Sequence, residues 1–315
     1  MTRIDSVKTG DSSEFARDVA IATRIGAFLC AVAAFAFAIG IESVRAQNSA
    51  APRGPDGEVI RDRPWLVPAQ DGVTMMRTAV FRPPGPGPFP LAVIAHGSTQ
   101  NELRRAQYRQ PRFALLARWL VDRGYAVAVP QRPGHGETGG PYFEYQGRCA
   151  DADFAKAGRA AADSIAAAVG FMTRQTFVRP SGAVVFGQSA GGWGALALAA
   201  RNPPAVAAVV AFAPGRGGRV NDIPGRNCAP DRLVAAARTF GATARIPTLW
   251  LYAENDSFFG PDLSKRLVAA YRGAGARADF HLLPPIGDDG HQMISTRGAV
   301  PVWGPVLDKF LKGVK

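Results

Sequence analysis

Gly187-Gln188-Ser189-Ala190-Gly191 is the stretch whose residue types could do chemistry. It fits the pattern G-x-S-x-G and stands between four apolar residues, Ala183 to Phe186, and an alanine-rich run, Gly194 to Ala200. That is the order of strand, sharp turn and helix in which the pattern has mechanical meaning. Gly187 and Gly191 lack a Cβ, so strand and helix can approach closely around the turn. Ser189 would then stand at the tip in strained backbone geometry with its hydroxyl exposed. The positive end of the following helix would face whatever it attacks. In a chain with 35 glycines the pattern alone is easily met by chance, and its plain alternative is a βα turn with a solvated serine.

A serine hydroxyl is a poor nucleophile at neutral pH. It needs a general base within hydrogen-bond reach, and the base needs an orienting acid. In open α/β sheets such groups gather beyond the carboxyl ends of the strands. The polar residues that follow apolar runs are His96, His135, Ser189, Asp256 and His291. Ser189, Asp256 and His291 supply nucleophile, acid and base in that chain order. Glu254 competes with Asp256 only if the preceding strand persists, and His281 lies inside an expected strand, where histidine more often serves core or surface. Asp288 and Asp289 are expected to shape the loop of His291, His96 to shape the loop it begins, and His135 to sit near the cleft.

The elements that must position these groups alternate. Strands are expected over 73–81, 91–95, 125–129, 183–186, 206–212, 247–252 and 278–283. Helices are expected over 105–123, 152–172, 194–200, 231–240, 263–271 and 301–311. Fully apolar runs such as Leu91 to Ala95 suit central parallel strands, and strand–helix alternation predicts an α/β fold: a mostly parallel sheet with helices on both faces. Loops 133–150 and 214–231 are expected to border the cleft.

The chain has 315 residues and a formal net charge of +12. The charge is scattered arginine with no dense basic run or nucleic-acid module, so nucleic acid is not the expected partner; anionic envelope components or acidic solutes fit a basic surface as well. Residues 25–41 are uncharged and apolar, Arg24 precedes them, and Val44-Arg45-Ala46 follows. This reads as a secretory signal over 1–46, then a flexible Pro/Gly-rich lead-in over 47–64, then one domain over 65–315. An uncleaved membrane anchor is the alternative use of the apolar run. Either places the body of the protein outside the cytoplasm, periplasmic or secreted. Cleavage would remove Cys30 and leave Cys149 and Cys228, an even pair expected to form a disulfide in an oxidising compartment. No Cys/His/carboxylate spacing points to a metal site, and the glycine-rich stretches lack dinucleotide or phosphate-loop spacing; no cofactor is expected.

Taken together, the G-x-S-x-G turn, His96-Gly97, Asp256 and His291 make the chain resemble an α/β-hydrolase, and within that superfamily the small, lidless, dienelactone-hydrolase-like group. The resemblance covers about residues 65 to 313. It implies that Ser189 is the nucleophile, that His291 takes and returns its proton, and that Asp256 holds the histidine tautomer. It implies further that the backbone N–H groups of Ser98 and Ala190 form an oxyanion hole. Many dienelactone hydrolases carry a cysteine nucleophile where this chain has Ser189, so the resemblance speaks to fold and mechanism more than to substrate. The expected activity is hydrolysis of small-molecule carboxylic esters. Alternatives are a peptidase or amidase on the same triad and a catalytically silent binding protein.

Overall fold

The computed structural model describes residues 65–314; the expected signal segment (1–46) and lead-in (47–64) lie outside the described residues. In chain order the elements are β1 (Trp65–Pro68), β2 (Met75–Phe81), β3 (Leu91–Ala95), α1 (Glu102–Ala106), α2 (Ala114–Val121), β4 (Ala126–Pro130), α3 (Phe154–Met172), β5 (Ala183–Gln188), α4 (Ala190–Ala199), β6 (Val206–Phe212), α5 (Pro230–Gly241), β7 (Thr248–Ala253), α6 (Pro261–Gly273), β8 (Ala278–Leu283) and α7 (Val300–Lys312). The sheet has eight strands in the order β1-β2-β4-β3-β5-β6-β7-β8. β2 pairs antiparallel with β1 and β4, and every other pairing is parallel.

The apolar runs explain the layering. Every residue of β3, β4, β5 and β7 is buried, as parallel strands covered on both faces require. α4 is buried along its whole length and has no polar face, so it must lie between the sheet and another layer. That layer is α3, whose small residues allow close approach: a Cβ on Gly194 would come within 2.6 Å of the Ala161 methyl. α3 starts where Asp153 accepts a hydrogen bond from the Lys156 amide at 2.7 Å, a side-chain cap of the kind that satisfies an orphan donor.

Most expected elements lie within two residues of the observed ones, and the departures have local causes. The helix expected over 105–123 is two helices, α1 and α2. Pro111 interrupts it, because proline lacks an amide donor and disfavours helical geometry in the residue before it. β2 starts at Met75, not Val73, because Asp71 Oδ1 accepts from the amides of Val73 and Thr74 and closes a turn there. α4 begins at Ala190, directly after Ser189, and not at Gly194. β1 is a four-residue edge strand that no periodicity announced.

Cys149 and Cys228 are joined by a disulfide, with Cα atoms 5.2 Å apart. It ties the loop after β4 to the loop after β6. Among the described residues no helix is long and apolar enough to cross a membrane.

Candidate active site

β5 runs directly into α4 through one residue, Ser189, held at φ 54°, ψ −120°. A non-glycine residue at positive φ is costly and persists only where its surroundings enforce it. Here the enforcement is steric. A Cβ on Gly187 would lie 2.5 Å from the Gly191 carbonyl carbon, and one on Gly191 would collide with the carbonyls of Ala95 and His96. The Ser189 amide donates to the Phe212 carbonyl at 2.9 Å. The turn is thus pinned between the ends of β3, β5 and β6.

Asp256 follows β7 and His291 follows β8. His291 Nδ1 lies 3.1 and 3.2 Å from the Asp256 carboxylate oxygens, and both side chains are buried. Asp256 Oδ1 also accepts from the amides of Phe258 and Phe259 at 2.8 and 2.9 Å, so the acid is fixed before it orients the ring. Phe258 stacks on the imidazole with centroids 4.1 Å apart. Asp289 Oδ1 accepts from the His291 amide at 3.0 Å and shapes that loop. Gln188 Nε2 donates to the His291 carbonyl at 3.2 Å, linking the serine turn to the histidine turn. Asp256 and His291 are therefore paired, whereas Ser189 Oγ has no hydrogen-bond partner among the described residues; in substrate-free enzymes this contact is commonly long. Of the competing residues, Glu254 is exposed, and His281 pairs with Asp279 on the edge strand.

Ser98 and Ala190 both line the cleft that Ser189 faces. Among the described residues neither backbone N–H has an acceptor, so two donors stand free beside the serine. Behind Ser98 lies a layer that sequence reasoning missed. Arg132 and Arg216, both buried, share Glu144: Arg132 Nε donates to one carboxylate oxygen at 2.5 Å and Arg216 Nη1 to the other at 2.8 Å. Burial alone would raise the Glu144 carboxyl, but the two guanidiniums outweigh it and hold it well below the usual carboxylate range. Arg132 and Glu144 lie 12 residues apart in one loop and Arg216 lies 72 residues beyond Glu144; they carry no motif, and the fold brings them together.

Two histidines complete the layer. His96 Nδ1 donates to the Gly97 carbonyl at 2.6 Å and its Nε2 accepts from the Arg132 amide at 3.0 Å. His135 Nδ1 lies 3.0 Å from the Pro133 carbonyl, which makes it the donor and leaves Nε2 to accept from the Ser98 hydroxyl at 2.8 Å. Burial drives both below the ordinary histidine value, His135 to about 4, with Arg132 adding to the effect on each. The acceptor nitrogen of each ring is thus occupied, His96 Nε2 by the Arg132 amide and His135 Nε2 by the Ser98 hydroxyl, so neither offers a lone pair to Ser189. Between pH 6.5 and about 4 the unfolded chain binds a proton at His135 that the folded chain refuses, so acidification destabilises the fold. The expected loss attributable to this group is about 3 kcal/mol across that window. His135→Gln, compared with the parent by urea denaturation at several pH values, should lose correspondingly less; parallel profiles would refute the assignment.

The cleft holds ≈340 Å³. Loops 133–150 and 214–231 both reach it, through Gln146 and through Gly215 to Arg219, and Cys149–Cys228 fastens the two loops to each other. Among the described residues no group of three or more His, Cys, Asp or Glu is placed to hold a metal ion.

This geometry can be set beside known proteins. No curated protein matches the sequence. Solved structures share the fold at low identity. A candidate dienelactone hydrolase from Klebsiella pneumoniae subsp. pneumoniae is 18% identical, covering 78% of this chain and 96% of its own, with a TM-score of 0.51. Est1E from Butyrivibrio proteoclasticus, solved with ferulic acid bound, is 17% identical over 78% of this chain and 98% of its own, with a TM-score of 0.54. A puromycin-hydrolyzing peptidase of Mycobacterium tuberculosis is 18% identical over 79% of this chain but only 39% of its own, with a TM-score of 0.53. The model of one family, described as the alpha/beta hydrolase family, matches residues 92–308. That span runs from β3 into α7 and takes in the serine turn, Asp256 and His291, and on this match the chain belongs to the alpha/beta hydrolase family.

Proposed function

We propose that this hydrolase is an exported serine enzyme that cleaves carboxylic esters through an acyl-enzyme. The observation that carries the reading is the strained Ser189 turn beside two unpartnered amides and a buried Asp256–His291 pair. In the proposed step His291 Nε2 takes the proton of Ser189 Oγ as Oγ attacks the ester carbonyl carbon. The amides of Ser98 and Ala190 receive the oxyanion, a contribution of about 3 kcal/mol per donor in comparable enzymes. Collapse breaks the C–O bond, and the leaving alkoxide takes the proton back from His291. Water, activated by the same imidazole, then releases the acid. Asp256 holds the Nδ1–H tautomer throughout and steadies the imidazolium.

Export draws support from the disulfide, since such bonds persist in oxidising compartments. Residues 1–46 are proposed to be the removed signal and 47–64 a lead-in to the domain over 65–315. A fluorophosphonate is the direct test. It should add its mass to the peptide containing Ser189 and abolish p-nitrophenyl acetate turnover in step with labelling. A folded protein that takes no label and turns over no ester would favour a silent binding protein instead. An anilide with the same acyl group separates ester from amide preference, and the ester is expected to be the faster substrate.

A further inference from the structure

The chemistry proposed above leaves a band of arginines without a use, two of them ion-paired and, among the described residues, three not. Arg104, Arg216 and Arg219 stand in the wall of the Ser189 cleft. A second groove of ≈530 Å³ shares Arg104 and continues past Arg109 and Arg112. Its lining includes Gln188 and Gln292, the immediate sequence neighbours of Ser189 and His291, so it opens beside the proposed reaction centre. Arg104, Arg109 and Arg112 are exposed, and among the described residues they form no ion pair. The one acid in either lining is Asp222, already paired with Arg219.

The guanidinium fork matches carboxylates in geometry as well as charge. Between the arginines stand neutral amides and a hydroxyl, including Thr99, Asn101, Gln107 and Gln110, which suit hydroxyl partners. The small volume beside Ser189, whose large apolar lining is Phe258 and Phe259 alone, gives a long alkyl chain little to bury against. Two grooves meeting at one arginine suit a chain that passes through, not a compact ligand that fills one cavity.

We infer that the substrate is an extended acidic polysaccharide bearing ester groups. Its ester lies at Ser189, its carboxylates run along Arg104, Arg109 and Arg112, and its hydroxyls meet the intervening amides. This rests on the esterase reading and names the substrate class of the same site. The bond cleaved is the ester C–O bond, replaced by water as described above.

The test compares two acetate-releasing polymers with one small ester on the full chain: O-acetylated alginate, which is a polyuronate, O-acetylated glucomannan, which is neutral, and p-nitrophenyl acetate. The acidic polymer should be favoured by about tenfold or more in kcat/KM at low salt, and the preference should shrink as salt screens the contacts. The double variant Arg109→Gln, Arg112→Gln should lower kcat/KM for acetylated alginate, relative to that for p-nitrophenyl acetate, by about tenfold and chiefly through KM. Equal handling of the two polymers, or an unchanged ratio in the variant, overturns the inference. So does a DNA oligonucleotide that inhibits as strongly as unacetylated alginate, because that would show a site for any polyanion. The two readings fail separately: no turnover of p-nitrophenyl acetate sinks the esterase, whereas turnover without charge preference sinks only the substrate.

Discussion

Ser189→Ala is expected to lower ester kcat by about 10⁶-fold, the scale on which loss of a serine nucleophile is felt when base and acid remain. The variant keeps the Cβ and hence the φ 54° strain, so its thermal midpoint should stay close to the parent's, and the loss of rate will report chemistry and not folding. Asp256→Asn gives the graded comparison, with an expected drop of about 10⁴-fold, because the amide can no longer hold His291 in the required tautomer. The order of the two losses matters more than either value. A nucleophile is indispensable and an orienting acid is not. Steady-state rates on p-nitrophenyl acetate, with circular dichroism to verify the fold, read both. Substantial turnover by Ser189→Ala would remove the basis for an acyl-enzyme.

The second large effect lies behind the site. Glu144→Gln should cost about 3–5 kcal/mol of stability in urea denaturation, because it leaves the two buried guanidiniums of Arg132 and Arg216 without a counter-charge. Two cations share this one carboxylate, so even the parent holds excess positive charge there. The pH sign is fixed by the depressed carboxyl. The Glu144 contribution is fully present above the ordinary carboxylate value and is lost as pH falls below it toward the folded value. The difference between parent and variant should therefore narrow in strong acid. A difference below about 1 kcal/mol at neutral pH would place the network among the weak, solvent-screened pairs.

Much of this molecule was legible from residue order, for reasons that differ by element. β3 and β6 were readable because their apolar runs are bounded by turn residues, and a covered parallel strand has no other pattern to show. The serine turn was readable because close strand–helix contact leaves few options but glycine at Gly187 and Gly191. The Asp256–His291 pair was readable from its position after β7 and β8. Pro111 marks the break between α1 and α2, against apolar spacing at Phe113, Leu116, Trp119 and Leu120 that by itself reads as one helix. By contrast, Phe258 stacking on His291, Arg219 lying 4.5 Å over the Phe258 ring, and the Glu144 network depend on loops whose paths are set by tertiary contacts. An arginine in a loop looks alike in sequence whether it is solvated, as Arg109 is, or buried, as Arg216 is. Only the fold separates the two.

The Cys149–Cys228 bond encloses 79 residues of sequence separation, and its consequence concerns timing. Within that covalent ring lie β5, Ser189, α4 and β6; outside it, still to be threaded into place, lie Asp256 and His291. A chain emerging amino end first would close a loop around Ser189 before Asp256 and His291 arrive. Under the proposed mechanism, reactivity would then wait on docking of the last third of the polypeptide.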